Sequence, residues 1–470
     1  MTVLPLRLRP LPNGDILAVN DAGGFAATGP AFVRKVMSGS LGADDVRTLA
    51  AHGHAILDGD DFARLTHAHA RARRLSSARS LDYLILVPTL RCNLACNYCQ
   101  VSRAGLHQLG YDWSDETLAA VLRLLDGLSS DQIKIEFQGG EATLRPDLIR
   151  RVIERCDRFA AKQFVICTNL QELDDEILAI FDRPDVFIST SLDGDSPTHQ
   201  HNRTKAAEAT SAFTANLDFV LARYAPGKVS ALPTIDPAAP PDIDDLIEAY
   251  ASRGLESIFL RPVNYQGFAR KRYAAAREQG EHWRDYYERF VRRIIERNWT
   301  RRGQVLEETY FSICLRRILQ PGQERHVDLR NPNPVGVDYV VIDHDGTVYP
   351  TDEARMLARS GVIDLSIGDV HQGWDGERRA QLNQASTNEF DPACQRCAYQ
   401  PFCGRDLVDD IARYGRIDMP RHETEFCRRH LHLFDFVFEL LYSEDPTVRY
   451  SLARWLRLSG TPDALGERLQ

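Results

Sequence analysis

Cys92, Cys96 and Cys99 stand in one short run, with Arg91 before them and Gln100 after. The spacing is C-x3-C-x2-C, and it follows an apolar, strand-like segment. Three thiolates so placed can hold three irons of a [4Fe–4S] cluster and leave the fourth iron open to a ligand. A four-cysteine set closes its cluster and suits electron transfer or structure instead. The chain has ten Cys in 470 residues, so a random triple at this spacing is expected on the order of 0.005 times per chain. Zinc is the competing reading. Zinc sites usually add a second C-x2-C or a His pair, and this run contains no His.

Further residue groups follow in order. Phe137-Gln138-Gly139-Gly140-Glu141 closes an apolar stretch, Thr168-Asn169 follows another, and Ser191-Leu192-Asp193-Gly194 a third. With Tyr98 inside the cysteine run and Arg203 downstream, this order resembles the radical S-adenosylmethionine (SAM) superfamily. The resemblance covers roughly residues 80–265. It implies that the open iron binds the amine and carboxylate of SAM. It also implies that an electron from the cluster splits SAM to methionine and a 5′-deoxyadenosyl radical, which takes hydrogen from an inert carbon. Cys92, Cys96 and Cys99 are then the metal ligands. Tyr98, Gly139, Gly140, Glu141, Thr168, Asn169, Ser191 and Arg203 become the expected SAM-binding residues. Glycines allow close backbone approach, Glu141 brings negative charge near the amine, and arginine's fork matches a carboxylate.

The elements that must carry these motifs are legible as β/α alternation from residue 82 onward. Short apolar runs at Tyr83–Val87, Ile133–Phe137, Phe164–Cys167, Val186–Thr190, Val229–Leu232 and Ile258–Leu260 read as buried parallel strands. Between the first two, Ser114 caps a helix with Asp115 and Glu116 in its first turn and an apolar stripe of Leu118, Val121, Leu122, Leu125 and Leu128. The expected fold is α/β: a partial (β/α)6 TIM-type barrel with a small N-terminal α+β module and a C-terminal iron–sulfur extension. The expected divisions are 1–80 (N-terminal module), 81–265 (barrel), 266–335 (helical bridge) and 336–470 (extension). In 1–80, Ile16–Val19 reads as a strand, Asn20–Gly24 as a turn, and Pro30–Met37 and Ala43–Ala51 as helices. That pattern suits either a winged-helix-like leader-peptide module or a cap on the barrel.

The C-terminal cysteines resemble the SPASM extension of peptide-modifying radical SAM enzymes. Cys394, Cys397, Cys403 and Cys427 supply one full ligand set. Where the family pattern asks for two further cysteines, this chain has Thr351 and Leu407. Both missing ligands belong to the other auxiliary cluster, so one auxiliary [4Fe–4S] cluster is expected, with a four-Cys zinc site as the alternative. Cys156, Cys167 and Cys314 read as small buried hydrophobes. The runs Phe259–Phe268 and Val348–Met356 are similar to those of His-Xaa-Ser-system radical SAM maturases. On that resemblance, Asp352 is a candidate for proton transfer in a peptide pocket beside Glu353 and Arg355, or else part of a surface ion pair.

Composition bounds the rest. The hydrophobic fraction of 43% and charged fraction of 26% are those of a globular protein, and a net charge of −9 argues against general nucleic-acid binding. The arginine-rich segment from Trp283 to Trp299 has helical apolar spacing and reads as a packed helix with a basic outer face. No run suggests a membrane span and no N-terminal apolar core suggests a signal peptide. A cytoplasmic location is expected, where thiols stay reduced. The expected partners are a ribosomally made precursor peptide and an external electron donor such as flavodoxin or ferredoxin, with no nucleic acid and no membrane. The expected reaction is a crosslink, epimerisation or other C–H change on that peptide. Two alternatives are a sulfatase-maturase-like oxidation of Ser or Cys on a protein, and a zinc-binding scaffold without catalysis.

Overall fold

The computed structural model describes residues 2–75, 80–273, 277–278, 280–321, 333 and 335–469. Five parallel strands form the barrel wall, side by side in sequence order: Tyr83–Thr89, Gln132–Gly139, Ala161–Cys167, Val186–Ser191 and Val229–Leu232. The sixth strand is broken. Ser257–Ile258 pairs with Glu307–Glu308, and Arg261–Pro262 pairs with Thr234–Ile235, which continues the fifth strand after Pro233. The partial (β/α)6 barrel is thus present, joined at its last seam only through strand ends.

The strands show two kinds of alternation. Leu84 and Leu86 face the outer helices while Ile85 and Val87 face a second apolar cluster, so the first strand is buried on both sides. On the second strand Ile133, Ile135 and Phe137 pack outward and Glu136 and Gln138 point into the barrel. Helices fill the outer face. The helix Asp115–Gly127 starts at Ser114, whose hydroxyl accepts from Thr117 N at 3.1 Å, and buries Leu118, Val121 and Leu125.

The expected boundary at residue 336 falls just ahead of a strand that joins the barrel sheet. Tyr339–Ile342 pairs in parallel with Tyr83–Leu86, and Thr347–Tyr349, Gly368–Asp369 and Gly373–Trp374 extend the sheet antiparallel. The two chain ends also meet: Arg468–Leu469 adds in parallel to Phe25–Thr28, the inner edge of the N-terminal sheet of Leu6–Pro10, Ile16–Asn20 and Phe25–Thr28. The helices of the N-terminal module run over Pro30–Ser38, Ala43–Ala51 and Asp61–Leu75. The helix Gly280–Thr300 buries Trp283, Tyr286, Tyr287, Phe290, Val291 and Ile294. Its arginines are largely spent on ion pairs: Arg289 with Asp285, Arg292 with Glu439 and Arg293 with Asp244.

Candidate active site at the barrel mouth

The cysteine loop leaves the first strand through a tightly held corner. Arg91 donates to both oxygens of Asp112 at 2.8 and 2.7 Å, and the Thr89 hydroxyl donates to the same carboxylate at 2.5 Å. A bidentate arginine pair of this kind fixes direction as well as distance. Beyond it Cys92 is buried, while Cys96 and Cys99 are half-buried. Two N–H groups aim at the Cys92 sulfur: Leu94 N at 3.4 Å and Asn169 Nδ2 at 3.8 Å. Burial pushes the Cys92 thiol up to about 12, so an iron or another cation is what would make it a thiolate at neutral pH.

Gly139 and Gly140 press against that same corner. Gly140 N donates to Thr89 O at 3.1 Å and Glu141 N to Arg91 O at 2.8 Å. A Cβ on Gly139 would sit 2.2 Å from Thr89 O, at a φ of +141°, and one on Gly140 would sit 2.3 Å from the carbonyl oxygens of Leu90 and Arg91. Both glycines are therefore required by backbone-on-backbone packing as well as by any ligand in front of them. Glu141 is buried, and its carboxylate is committed to the protein. It accepts from Thr143 Oγ1 at 2.7 Å and from Asn169 N at 2.7 Å. It ties the glycine turn to the end of the third strand, and burial holds its carboxyl above the usual range.

Arg203 lies in a single π-helical turn, Gln200–Thr204, a form often found at functional positions. Its Nε donates to the Tyr98 hydroxyl at 2.6 Å and approaches Asp193 at 3.4 Å, and the Tyr98 hydroxyl donates to Asp193. Asp193 is fully buried and also accepts from Thr234 N at 3.1 Å. Among the described residues four non-glycine positions have positive φ; Ser102, Leu170 and Lys205 lie within three residues of a motif position. Strain of this kind persists only where surrounding contacts over-determine it.

These pieces enclose one cavity of about 260 Å³ at the C-terminal ends of the strands. All three cysteines line it, as do Tyr98, Gly139, Gly140, Glu141, Thr168, Asn169, Ser191 and Arg203. The donor set and the glycine cradle fit an iron–sulfur cluster with SAM against it. Sequence reasoning missed part of the floor. Glu136, Gln138 and Cys167 also line the cavity. Glu136 accepts from Tyr83 OH at 2.7 Å and Gln138 Nε2 at 2.6 Å, and the Cys167 thiol lies 3.4 Å from it. Cys167 is therefore not the core hydrophobe expected of it, whereas Cys156 and Cys314 are fully buried in apolar surroundings. The signal for Glu136 was present in the polar–apolar alternation Gln132 to Gln138.

Asp352 sits outside this lining. It is buried at the start of the helix Asp352–Arg359 and accepts from Arg355 Nε at 2.8 Å and Nη2 at 2.7 Å. Arg355 is fully buried and also lies 3.7 Å from Asp343. Thr351 caps that helix through Ala354 N at 3.0 Å, and Leu407 packs in the same apolar cluster as Ala354 and Leu357. Thr351 and Leu407, at the positions of the two absent cysteines, thus serve as a helix cap and a core side chain.

Cys394, Cys397, Cys403 and Cys427 gather around the start of the helix Glu425–Leu441, close enough to act on one another electrostatically. Burial raises all four thiols, and Arg421, bound to Asp410 at 2.5 Å, pulls Cys394, Cys403 and Cys427 the other way. Among the described residues, no three sulfurs of either cysteine group lie within 4.8 Å of one another.

Residues 86–218 match the family model described as the Radical SAM superfamily, and this stretch holds the three cysteines and the other motif residues of the barrel mouth. An uncharacterised protein of Methanocaldococcus jannaschii is 29% identical over 117 residues, which is 24% of this chain and 39% of that relative. Solved structures share the fold. AnSMEcpe with bound AdoMet gives a TM-score of 0.60 at 16% identity, covering 76% of this chain and 97% of that one. The same protein with AdoMet and the Cp18Cys peptide gives 0.60 at 17% identity, covering 76% and 96%. Streptococcus suis SuiB bound to its precursor peptide SuiA gives 0.52 at 13% identity, covering 87% and 97%.

Proposed function

We propose that this chain is a cytosolic radical SAM maturase that alters a carbon centre of a ribosomally made peptide, by crosslinking, epimerisation or another C–H change. The observation that carries this reading is the convergence of eleven motif residues from separate strand ends on one cavity. The peptide substrate is supported by two neighbours in fold, SuiB and anSMEcpe, both solved with peptides bound.

When bound, the cluster supplies the electron that cleaves SAM to methionine and a 5′-deoxyadenosyl radical. Cys92, Cys96 and Cys99 hold the cluster, and the N–H groups of Leu94 and Asn169 stabilise negative charge on the Cys92 sulfur, a lever on reduction potential. Gly139, Gly140, Thr168 and Ser191 shape the SAM site, and Arg203 sets positive charge at its edge while bracing Tyr98. Glu141 acts as a positioning residue, because both its oxygens already hold backbone or hydroxyl donors. Cys394, Cys397, Cys403 and Cys427 hold one auxiliary cluster without a free iron, suited to electron relay or support.

Anaerobic reconstitution tests the reading. Dithionite and SAM should give 5′-deoxyadenosine, and mass spectrometry of a co-expressed precursor should show a loss of two hydrogens or, for epimerisation, unchanged mass with altered chirality. Absence of 5′-deoxyadenosine from iron-loaded protein, with its peptide present, refutes it.

A further inference from the structure

A second cavity, of about 90 Å³, opens beside the radical cavity and shares Arg261, Pro262 and Asn264 with it. Its chemistry is one-sided. Arg261, Arg284 and Arg429 line it together with Trp283, Tyr287 and Tyr310, and no carboxylate does.

The three guanidiniums have few close ion pairs. Among the described residues neither Arg261 nor Arg429 has an ion pair, and the Arg429 Nε is enclosed without a hydrogen-bond partner. Arg284 has Glu281 at 3.7 Å, a carboxylate that is 94% exposed, and also acts electrostatically on Glu288. The other acids nearby are engaged. Glu288 lies 3.2 Å from His432, Asp409 is bound by Arg413 at 2.8 Å and also feels Arg429, and Glu308 accepts from Tyr287 OH and two backbone N–H groups. All three side chains are half-buried, and their forks match the geometry of a ligand carboxylate.

We infer that this pocket is a subsite for a carboxylate of the peptide substrate, either an acidic side chain or a chain-terminal carboxylate, seated against the aromatic wall. It rests on the peptide-maturase reading. Arg261 belongs to both cavities, so the anchored carboxylate would lie next to the residue presented to the radical.

The test is binding to the iron-loaded protein, followed by ligand-observed NMR, first without SAM and then with SAM added to saturation. The probes are acetyl-Ala-Ala-Glu-Ala-Ala-amide, its Gln counterpart, and acetyl-pentaalanine with a free carboxylate. We expect one of the carboxylate peptides to bind at least tenfold more tightly than the Gln peptide, and which one does so identifies the source. Arg429→Gln should abolish the preference and Arg429→Lys should restore part of it. Equal binding of charged and neutral peptides, no binding of either carboxylate peptide, or displacement of the charged peptide by SAM overturns the inference. The wild-type peptide series stands even where a variant fails to fold. Release of 5′-deoxyadenosine by the same wild-type preparation reports separately on the proposed function.

Discussion

Arg203 and Tyr98, 105 positions apart in the chain, are joined by a 2.6 Å hydrogen bond from the guanidinium to the phenol. The bond fastens the cysteine loop to the turn after the fourth barrel strand. Asp193 completes the set beneath them with no exposure to water. Tyr98→Phe keeps the ring and removes the shared hydroxyl. It should cost about 1 to 3 kcal/mol in a thermal or denaturant melt. Asp193→Ala leaves a buried guanidinium without its carboxylate and should cost about 3 to 5 kcal/mol.

Gly139→Ala and Gly140→Ala should both lower iron retention and SAM affinity, because each new methyl meets carbonyl oxygens at 2.2 to 2.3 Å. Gly139→Ala should be the worse, since its φ of +141° adds about 1 to 3 kcal/mol of backbone strain. Melting temperature and iron content measured on both variants check the order.

Iron analysis separates the two cysteine groups. With both clusters loaded the protein should be brown and carry about eight irons per chain. Combined Cys92→Ser, Cys96→Ser and Cys99→Ser substitution should leave about four irons and no SAM cleavage. Cys394→Ser with Cys427→Ser should also leave about four, those of the barrel cluster. A colourless protein with stoichiometric zinc would contradict both assignments.

Glu308 gives a pH signature. Burial raises its carboxyl from 4.5 to about 7, so the folded protein holds this proton more tightly than the unfolded chain. Its contribution to stability is therefore fully present below pH 4.5 and declines as the pH rises through about 7. The loss should approach about 3 kcal/mol. Glu308→Gln should flatten the melting temperature between pH 5 and 8, measured by calorimetry.

Asp352→Asn should destabilise the fold by about 3 kcal/mol, because Arg355 is fully buried against it. Loss of peptide product in a variant that is still folded and still releases 5′-deoxyadenosine would assign Asp352 to proton transfer. Full product formation would leave it a structural partner of Arg355.

The sequence alone determined five of the barrel strands and the residues at its mouth, while the sixth run, Ile258–Leu260, breaks into Ser257–Ile258 and Arg261–Pro262. Strand and helix leave their periods in the chain: buried parallel strands read as apolar runs, and Ser114 announces its helix by a cap and an apolar stripe. The cysteine spacing is local chemistry and needs no fold to be read. Tertiary structure decided what is non-local. The Tyr98–Asp193–Arg203 set, the committed carboxylate of Glu141 and the pairing of Tyr339–Ile342 with the first strand join residues far apart in sequence. The destination of Cys167 was hidden for a simpler reason. A strand's period of two says that neighbouring side chains part company, but only closure of the barrel decides which of them enters it.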